Sequence, residues 1–550
     1  MNEMHETLLD LLLEIDTICK EHGIKYYLSG GTALGAHRNQ CFLPWDDDID
    51  LFISRDDWNK LHTLIDEHPE VLPENRRFIY MENDDLHRNP IPRYVDTSTT
   101  MMFLSQAISA KLCGNQIEFF VLDPVPNVED GRKEHLQQMQ AFLEVLSPHF
   151  FVSQSVLMEE YDEHKQWVFK FLDEIDKRGF DEVMPELYEK LYSYPLEKAD
   201  CVCIRWGIHM FLHKSSFYTG DRYVDLEGYK FPVASELEHA LRIDYGDSWM
   251  YIPEGDNQVS HNALIVDQDR SFYDFTKIYL KHVNQKQVLK SYEENKRYNV
   301  ETWPYRKHID LERNKIRGII DKKNIEKTVE LNGYDLDQLI EDKEFELLDE
   351  IFKDYYTHQF YAVPKRYFSL HDIGSDLLKV AIKSKIRQGS YFTGRKIIDI
   401  IEYNKELDDE LKHLKDICDY CRTLSVAIYD DFDVDTVEKT LENRFEDCED
   451  LIDTYRARLW LAGKKANEDK DYEKIIAEAN EMLKEYPEDG EIMAYIAAAY
   501  YMMGDKENAT KMYAKAVENT RNGFVWQFAK KHVGIDRMLE EEIYVNGLSE

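Results

Sequence analysis

The sequence predicts an α+β protein in two parts: an N-terminal mixed β-sheet with flanking helices, then an all-α region of helical repeats. Three observations carry this. Between Tyr27 and Ile53, short apolar runs of strand length alternate with a glycine pair and an acidic turn. Beyond about residue 280 the apolar residues recur at helical spacing, with charged faces and few glycines. Near the C-terminus the pattern repeats with a shift of about 34 residues.

Taken in order, Leu8, Leu11, Leu12, Ile15 and Ile18 fall on one helical face and predict a helix over 4–22, stopped by Gly23. Residues 24–28 read as a strand, 32–38 as a short helix and 48–53 as a second strand. Asp56 and Asp57 then suit the N-terminal dipole of another helix. Residues 77–81, 91–95 and 116–122 are further strand candidates. From about 130 to 200 the pattern is helical and rich in Tyr and Phe, and short strands return at 201–204 and in the run through Phe231. The Tyr245-Gly246-Asp247 turn and the Pro253-Glu-Gly turn mark the end of this part. The expected domains are 1–280, 281–435 (helical) and 436–550. In the last, Asp471-Tyr472, Ala479 and Pro487 align with Asp505, Ala509, Tyr513 and Ala516. This is similar to tetratricopeptide hairpins, with two readings: a groove that docks a protein partner, or a helical cap that only packs on its neighbours.

Composition narrows the function. The 550 residues hold 68 Lys and Arg against 107 Asp and Glu, a formal charge of −39. A polymeric nucleic acid needs clustered basic residues to neutralise its phosphates, so it is excluded as a substrate. A small nucleotide is not, because a divalent cation and one or two Arg can hold its phosphates locally. The N-terminus has no basic segment leading into an apolar run, and no stretch approaches ~18 consecutive apolar residues, so neither a signal peptide nor a transmembrane anchor is expected. Eight cysteines are scattered along the chain. Cys201-x-Cys203 and Cys418-x-x-Cys421 could in principle supply four thiolates to zinc, but no turn chemistry surrounds them, and buried thiols are the expectation.

The stretch YLSGGTALGAHRNQCFLPWDDDIDLFI (27–53) carries the chemistry. Side chains two apart on a strand share a face about 7 Å apart, so Asp48 and Asp50 point the same way while Ile49, Leu51 and Ile53 face the interior. Adjacent carboxylates repel, and a divalent cation relieves that repulsion. Gly30-Gly31 lets backbone approach a ligand closely, with N–H groups at a helix start available to phosphate oxygens. Acidic clusters are usually solvated turns, but this one follows Pro44-Trp45 and runs into a strand. A metal-dependent enzyme acting on a nucleotide phosphate is the expectation. Gly-x-Ser-x-Gly, His-Glu-x-x-His and Gly-x-Gly-x-x-Gly frames are absent. His209 and His213 read as core or surface histidines rather than metal ligands.

These residues resemble the signature of the LicD-type phosphotransferases, within the nucleotidyltransferase superfamily: a GG-T-x-LG-A-x-R run followed by PWDDDID. Downstream, residues 91–100 (Arg93, Asp96, Thr99 and Thr100 among them), Ile117-Glu118 through Asp123, Leu226-Glu227-Gly228 and 245–253 resemble later family motifs in the right order, over roughly residues 1–260. Glu118 stands where members usually carry Asp and keeps the carboxylate. The resemblance implies a nucleotidyltransferase fold with Mg2+ (or Mn2+) held by Asp48, Asp50 and Glu118. It implies transfer of a phospho-alcohol such as phosphocholine from a CDP-alcohol donor to a hydroxyl of a glycan or lipid-linked glycan acceptor. That is the chemistry of teichoic acid or lipopolysaccharide biosynthesis, with CMP leaving. Glu118 would complete the metal set or take the acceptor proton. Gly30, Gly31, Thr32, Arg38, Trp45, Asp47, Arg93 and Asp247 are the expected substrate-binding residues. Arg38 and Arg93 would grip donor phosphates or else pair with the acidic loop. Trp45 would stack on a base or headgroup or else pack beneath the loop, and Asp247 would bind substrate or cap its turn. A cytoplasmic enzyme of this kind would meet a lipid-linked acceptor at the inner membrane face. The alternatives are transfer of NMP from an NTP, and a non-catalytic helical-repeat scaffold.

Overall fold

A computed structural model describes residues 2–80, 91–102, 113–146, 161–206, 209–253, 258, 260, 263–279, 281–360 and 375–533. The Glu254-Gly255 part of the expected second turn lies outside them. The chain forms two compact units. The first runs to Gly246 and resumes from Pro253 to Pro304; the second takes Asp247–Ile252 and continues from Tyr305. The fold is α+β, with a mixed sheet and helices in the first unit and an all-helical second unit. Among the described residues no helix is long and apolar enough to cross a membrane.

The first unit opens with α1 (Glu3–Glu21), β1 (Tyr26–Leu28), α2 (Gly30–Asn39), β2 (Ile49–Ser54) and α3 (Arg55–Glu67). It continues with β3 (Arg76–Ile79), β4 (Arg93–Asp96), β5 (Thr100–Met102) and β6 (Gln116–Val125). Three helices follow, Arg132–Leu146, Tyr161–Arg178 and Phe180–Tyr192. After them come β7 (Cys201–Trp206), β8 (His209–Lys214), β9 (Arg222–Leu226), β10 (Tyr229–Val233), the helix Leu237–Tyr245 and β11 (Ile265–Asp267). The pairing of β5 with β11 and the helix Leu237–Tyr245 were not anticipated from the sequence. Cys203 and Cys418 are buried in different units, and burial pushes each thiol up to about 12.

The main sheet runs β1-β2-β6-β4-β3, with β7 and β8 extending from the far end of β6. Among the described strands only β2 and β6 pair in parallel, and they lie within the sheet, not at its edge. Their residues are buried on both faces, as such strands require. One face carries Ile49, Leu51, Ile53, Ile117 and Phe119. It is covered by α1, through Leu8, Leu11, Leu12 and Ile15, and by α3, through Trp58 and Leu61. Each fully buried Leu or Ile contributes about 1.5–3 kcal/mol. Asn2 caps α1 by accepting the His5 N–H at 2.8 Å, and Gly23 takes φ +64 just past its end. The opposite face carries an aromatic wall of Tyr27, Phe52 and Phe120, and, level with it toward one end, the polar residues of the next subsection. At the other end the fully buried Asp123 receives Arg55 Nε at 2.8 Å and Arg205 Nη2 at 2.8 Å. It ties β6 to the start of α3 and to β7.

The first unit reaches beyond the expected boundary at 280. Val300 and Trp303, on the long helix Gln285–Asn332, lie in its core. Pro304 removes the N–H that would bond the Val300 carbonyl, and the Tyr161 hydroxyl donates to that carbonyl instead. The second unit stacks helices from Leu336–Glu341 to Gly523–Val533 around a core that includes Phe352, Ile397, Leu411 and Leu424. Two helices of its last hairpins begin at Tyr472 and Lys506, 34 residues apart, in phase with the sequence repeat. The hexapeptide Asp247–Ile252 completes it. Trp249, Met250 and Ile252 are fully buried there, and the Gly523 and Ile252 N–H groups bond Met250 O and Arg521 O at 2.9 and 2.7 Å.

Inside this unit Arg456 holds three carboxylates. Its Nη2 lies 2.6 Å from Asp489 and 3.2 Å from Glu491, and Nη1 lies 4.0 Å from Asp453. Burial pushes Asp453 up to about 7, with Arg456 opposing and Glu491 adding to the shift. A carboxyl raised in the folded state binds a proton that the unfolded chain has lost, so its contribution is complete below about pH 4 and vanishes as pH rises through about 7. Denaturant titrations of the full chain should therefore show stability falling across that window. Asp453→Asn should flatten the decline and be the more stable form at pH 8.

Candidate metal centre

Three neighbouring strands set the site. The parallel register places Asp50 opposite Glu118, and the antiparallel register places Glu118 opposite Arg93, so the three form one row across β2, β6 and β4. Asp48 sits two residues before Asp50, just ahead of β2. One carboxylate oxygen each from Asp48, Asp50 and Glu118 lie within 4.8 Å of one another. Asp47, Asp48 and Asp50 are all buried.

The local sequence fixes Asp50 from the other side. Its N–H donates to the Thr32 hydroxyl at 3.1 Å, and its carbonyl accepts the Ser29 N–H at 3.0 Å. Its carboxylate receives the Gly31 N–H at the start of α2. The glycines make room for the acidic residues themselves. A Cβ on Gly30, whose φ is +54, would lie 2.1 Å from Asp50 Oδ2, and one on Gly31 would lie 2.6 Å from Asp46 Oδ2. The pair lacks side chains because two aspartates occupy that space.

Electrostatics follow from the crowding. Burial first, then Asp48, Glu118 and Asp46, hold the Asp50 carboxyl well above its ordinary range, while the Gly31 N–H pulls the other way. The row contains one cation: Arg93 Nη2 lies 2.7 Å from Glu118 Oε1, which also accepts from Gln116 Nε2 at 3.1 Å. Three oxygen ligands converging in a buried, net negative site suit a hard divalent cation such as Mg2+ or Mn2+. Among the described residues this is the one group of three or more potential ligands.

The other predicted residues distribute as follows. Arg38 is fully buried in α2, and its Nε donates to Asn39 Oδ1 at 3.2 Å. Trp45 is partly exposed in a turn closed by the Asp46 N–H on Leu43 O at 3.0 Å. Asp247 lies in the second unit, where both of its oxygens accept from Arg422 Nε at 3.1 Å. His213 is a core histidine, bonded to Asp244 and Tyr218. Tyr245, read from the sequence as the start of a turn, is the last residue of the helix Leu237–Tyr245. Burial and the charges of Asp50 and Asp46 hold its phenol far above the ordinary range, with Arg38 opposing. The signal available was an aromatic residue at the last helical position before a glycine.

The site thus joins a paired-carboxylate strand of a mixed sheet to a glycine-started helix that abuts it. Residues 23–102, which include Gly30, Gly31, Asp48, Asp50 and Arg93, match the family described as LicD/FKTN/FKRP, nucleotidyltransferase domain. The chain is similar to the lipopolysaccharide cholinephosphotransferase LicD of Haemophilus influenzae. The two are 22% identical over 283 residues, which is 48% of this chain and 96% of that protein. No solved structure matches the chain.

If the row is a metal centre, Mn2+ or Mg2+ should raise the melting temperature of the full chain in a saturable way. Asp50→Asn should melt higher than the parent in EDTA, having lost the like-charge repulsion, and should show no shift with Mn2+. A variant that still responds to Mn2+ like the parent would remove Asp50 from the ligand set.

Proposed function

We propose that this protein transfers a phospho-alcohol of the phosphocholine type from a CDP-activated donor to a hydroxyl of a glycan acceptor, with CMP as the leaving group. The observation that carries this reading is the buried Asp48–Asp50–Glu118 group with Arg93 beside it. The LicD-type match and the cholinephosphotransferase relative support the choice of transferred group and a lipopolysaccharide-like acceptor.

In this proposal Asp48 and Asp50 hold the cation, and Glu118 either completes the ligand set or accepts the proton of the attacking hydroxyl. Bound Mg2+ or Mn2+ supplies charge neutralisation for the pyrophosphate and the departing CMP oxygen. Arg93 orients Glu118 through their 2.7 Å pair and is positioned to offer its remaining guanidinium donors to a phosphate. Arg38 neutralises the acidic turn from within α2 and supports it rather than reaching the donor. Trp45, partly exposed, would flank a base or a quaternary ammonium headgroup. A lipid-carried acceptor would bring the enzyme to a membrane surface through its substrate alone.

The runner-up, NMP transfer from an NTP, uses the same carboxylates. Incubation with Mg2+ and either CDP-choline or the four NTPs separates the two: CMP release from the first supports the proposal, and pyrophosphate from the second overturns it.

Arg93 supplies a sharper test. Lys at this position keeps the charge but loses the planar fork. Arg93→Lys should lower kcat/KM for CDP-choline by about ten- to a hundredfold, the worth of a charge-assisted bond of ~1.5–3 kcal/mol. A variant that melts early yet turns over normally would make Arg93 a structural partner of Glu118 only.

A further inference from the structure

The helix Leu237–Tyr245 has no role in the account above, yet it packs on α2 and β8, beside the acidic row. It is held at both ends. Near its start, Arg222 donates to both oxygens of Glu238 at 2.6 and 2.7 Å, and His37 of α2 lies 3.4 Å from the same carboxylate. Near its finish, Asp244 Oδ1 accepts from His213 Nε2 at 2.9 Å. That tautomer leaves His213 Nδ1 to accept the Tyr218 hydroxyl at 2.7 Å. His213 and Asp244 are buried, and Phe52, two residues along β2 from Asp50, meets the imidazole edge-on at 5.8 Å. The last turn closes with the Gly246 N–H on Arg242 O at 2.9 Å, and Gly246 takes φ +79.

A helix locked in this way presents its final residue in one place. Tyr245 is 39% exposed and follows Asp244, whose partner His213 packs on Phe52, two residues along β2 from Asp50. An exposed aromatic ring at the fixed end of a helix beside the acidic row is the form of a side chain that meets a ligand.

We propose that Tyr245 is a substrate-contacting residue of the acidic site, its hydroxyl donating a hydrogen bond to a phosphate oxygen of the nucleoside-diphosphate donor, with the Asp244–His213–Tyr218 chain as its positioning device. The inference rests on the CDP-alcohol reading above. Phosphate oxygens brought among carboxylates need donors, and the groups already named there offer few beyond Arg93.

The test compares the full chain with Tyr245→Phe, His213→Phe and the double variant. Each is measured for the Mn2+-induced melting shift, for the CDP-choline concentration that adds half-maximal stabilisation in Mn2+, and for CMP release. Tyr245→Phe should melt and respond to Mn2+ like the parent, yet need about ten- to a hundredfold more CDP-choline, with kcat/KM falling in proportion. In the double variant the two losses should fall short of their product, because His213 acts through Tyr245. Should His213→Phe fail to fold, Asp244→Asn takes its place in the cycle. Equal CDP-choline dependence in parent and Tyr245→Phe overturns the contact, and multiplicative losses overturn the positioning role. A parent enzyme that ignores CDP-choline while responding to Mn2+ overturns the donor reading, and this inference with it.

Discussion

The N-terminal unit is organised around a repulsion. Three carboxylate oxygens within 4.8 Å of one another, in a buried site, oppose each other by roughly 3–4 kcal/mol per pair at an effective dielectric near 20. Each such term is as large as a well-buried leucine's contribution. The sheet tolerates it because the opposite face is fully covered by α1 and α3, and because Asp50 is pinned through its backbone by Ser29 and Thr32. The glycine pair, the helix start and the central parallel strands are consequences of keeping these charges together.

The helical unit meets the same problem with the opposite solution. Asp453, Asp489 and Glu491 also converge in a buried place, but Arg456 is packed among them and the Tyr429 hydroxyl donates to Glu491 at 2.9 Å. There the counter-charge is built into the chain and the cluster is structural. In the sheet, Arg93 pairs with Glu118 at the edge of the group. The two clusters differ in where the guanidinium sits: among the carboxylates in one, at the edge in the other.

Much of this was legible in the sequence, and what was not has a physical reason. Period-two alternation in residues 48–53 placed Asp48 and Asp50 on one face, and α1 followed from its apolar spacing, because both patterns are local. That Glu118 lies level with Asp50 depends on the register of two parallel strands joined by a long crossover, which no local pattern specifies. Gly30 and Gly31 could be recognised as sites of close approach, but what approaches them is Asp50 and Asp46 from elsewhere in the fold. Tyr245-Gly246-Asp247 read as the close of the first part because nothing local shows that the residues after it are buried by helices more than 150 residues away. Likewise, the compensation of Pro304 by Tyr161 is a tertiary contact that no local pattern announces.

The hexapeptide Asp247–Ile252 makes the two units interlaced along the chain: neither is a single continuous stretch. During synthesis this peptide emerges long before the helix Gly523–Val533 and the turn ahead of it, which close over Met250 and Ile252. At about 5–20 residues per second, Trp249, Met250 and Ile252 stay without their burying partners for some tens of seconds on the ribosome. The nascent protein therefore carries a short adhesive segment through half of its own production. In the cell its yield would depend on folding assistance and translation speed, quantities that the stability of the finished fold does not report.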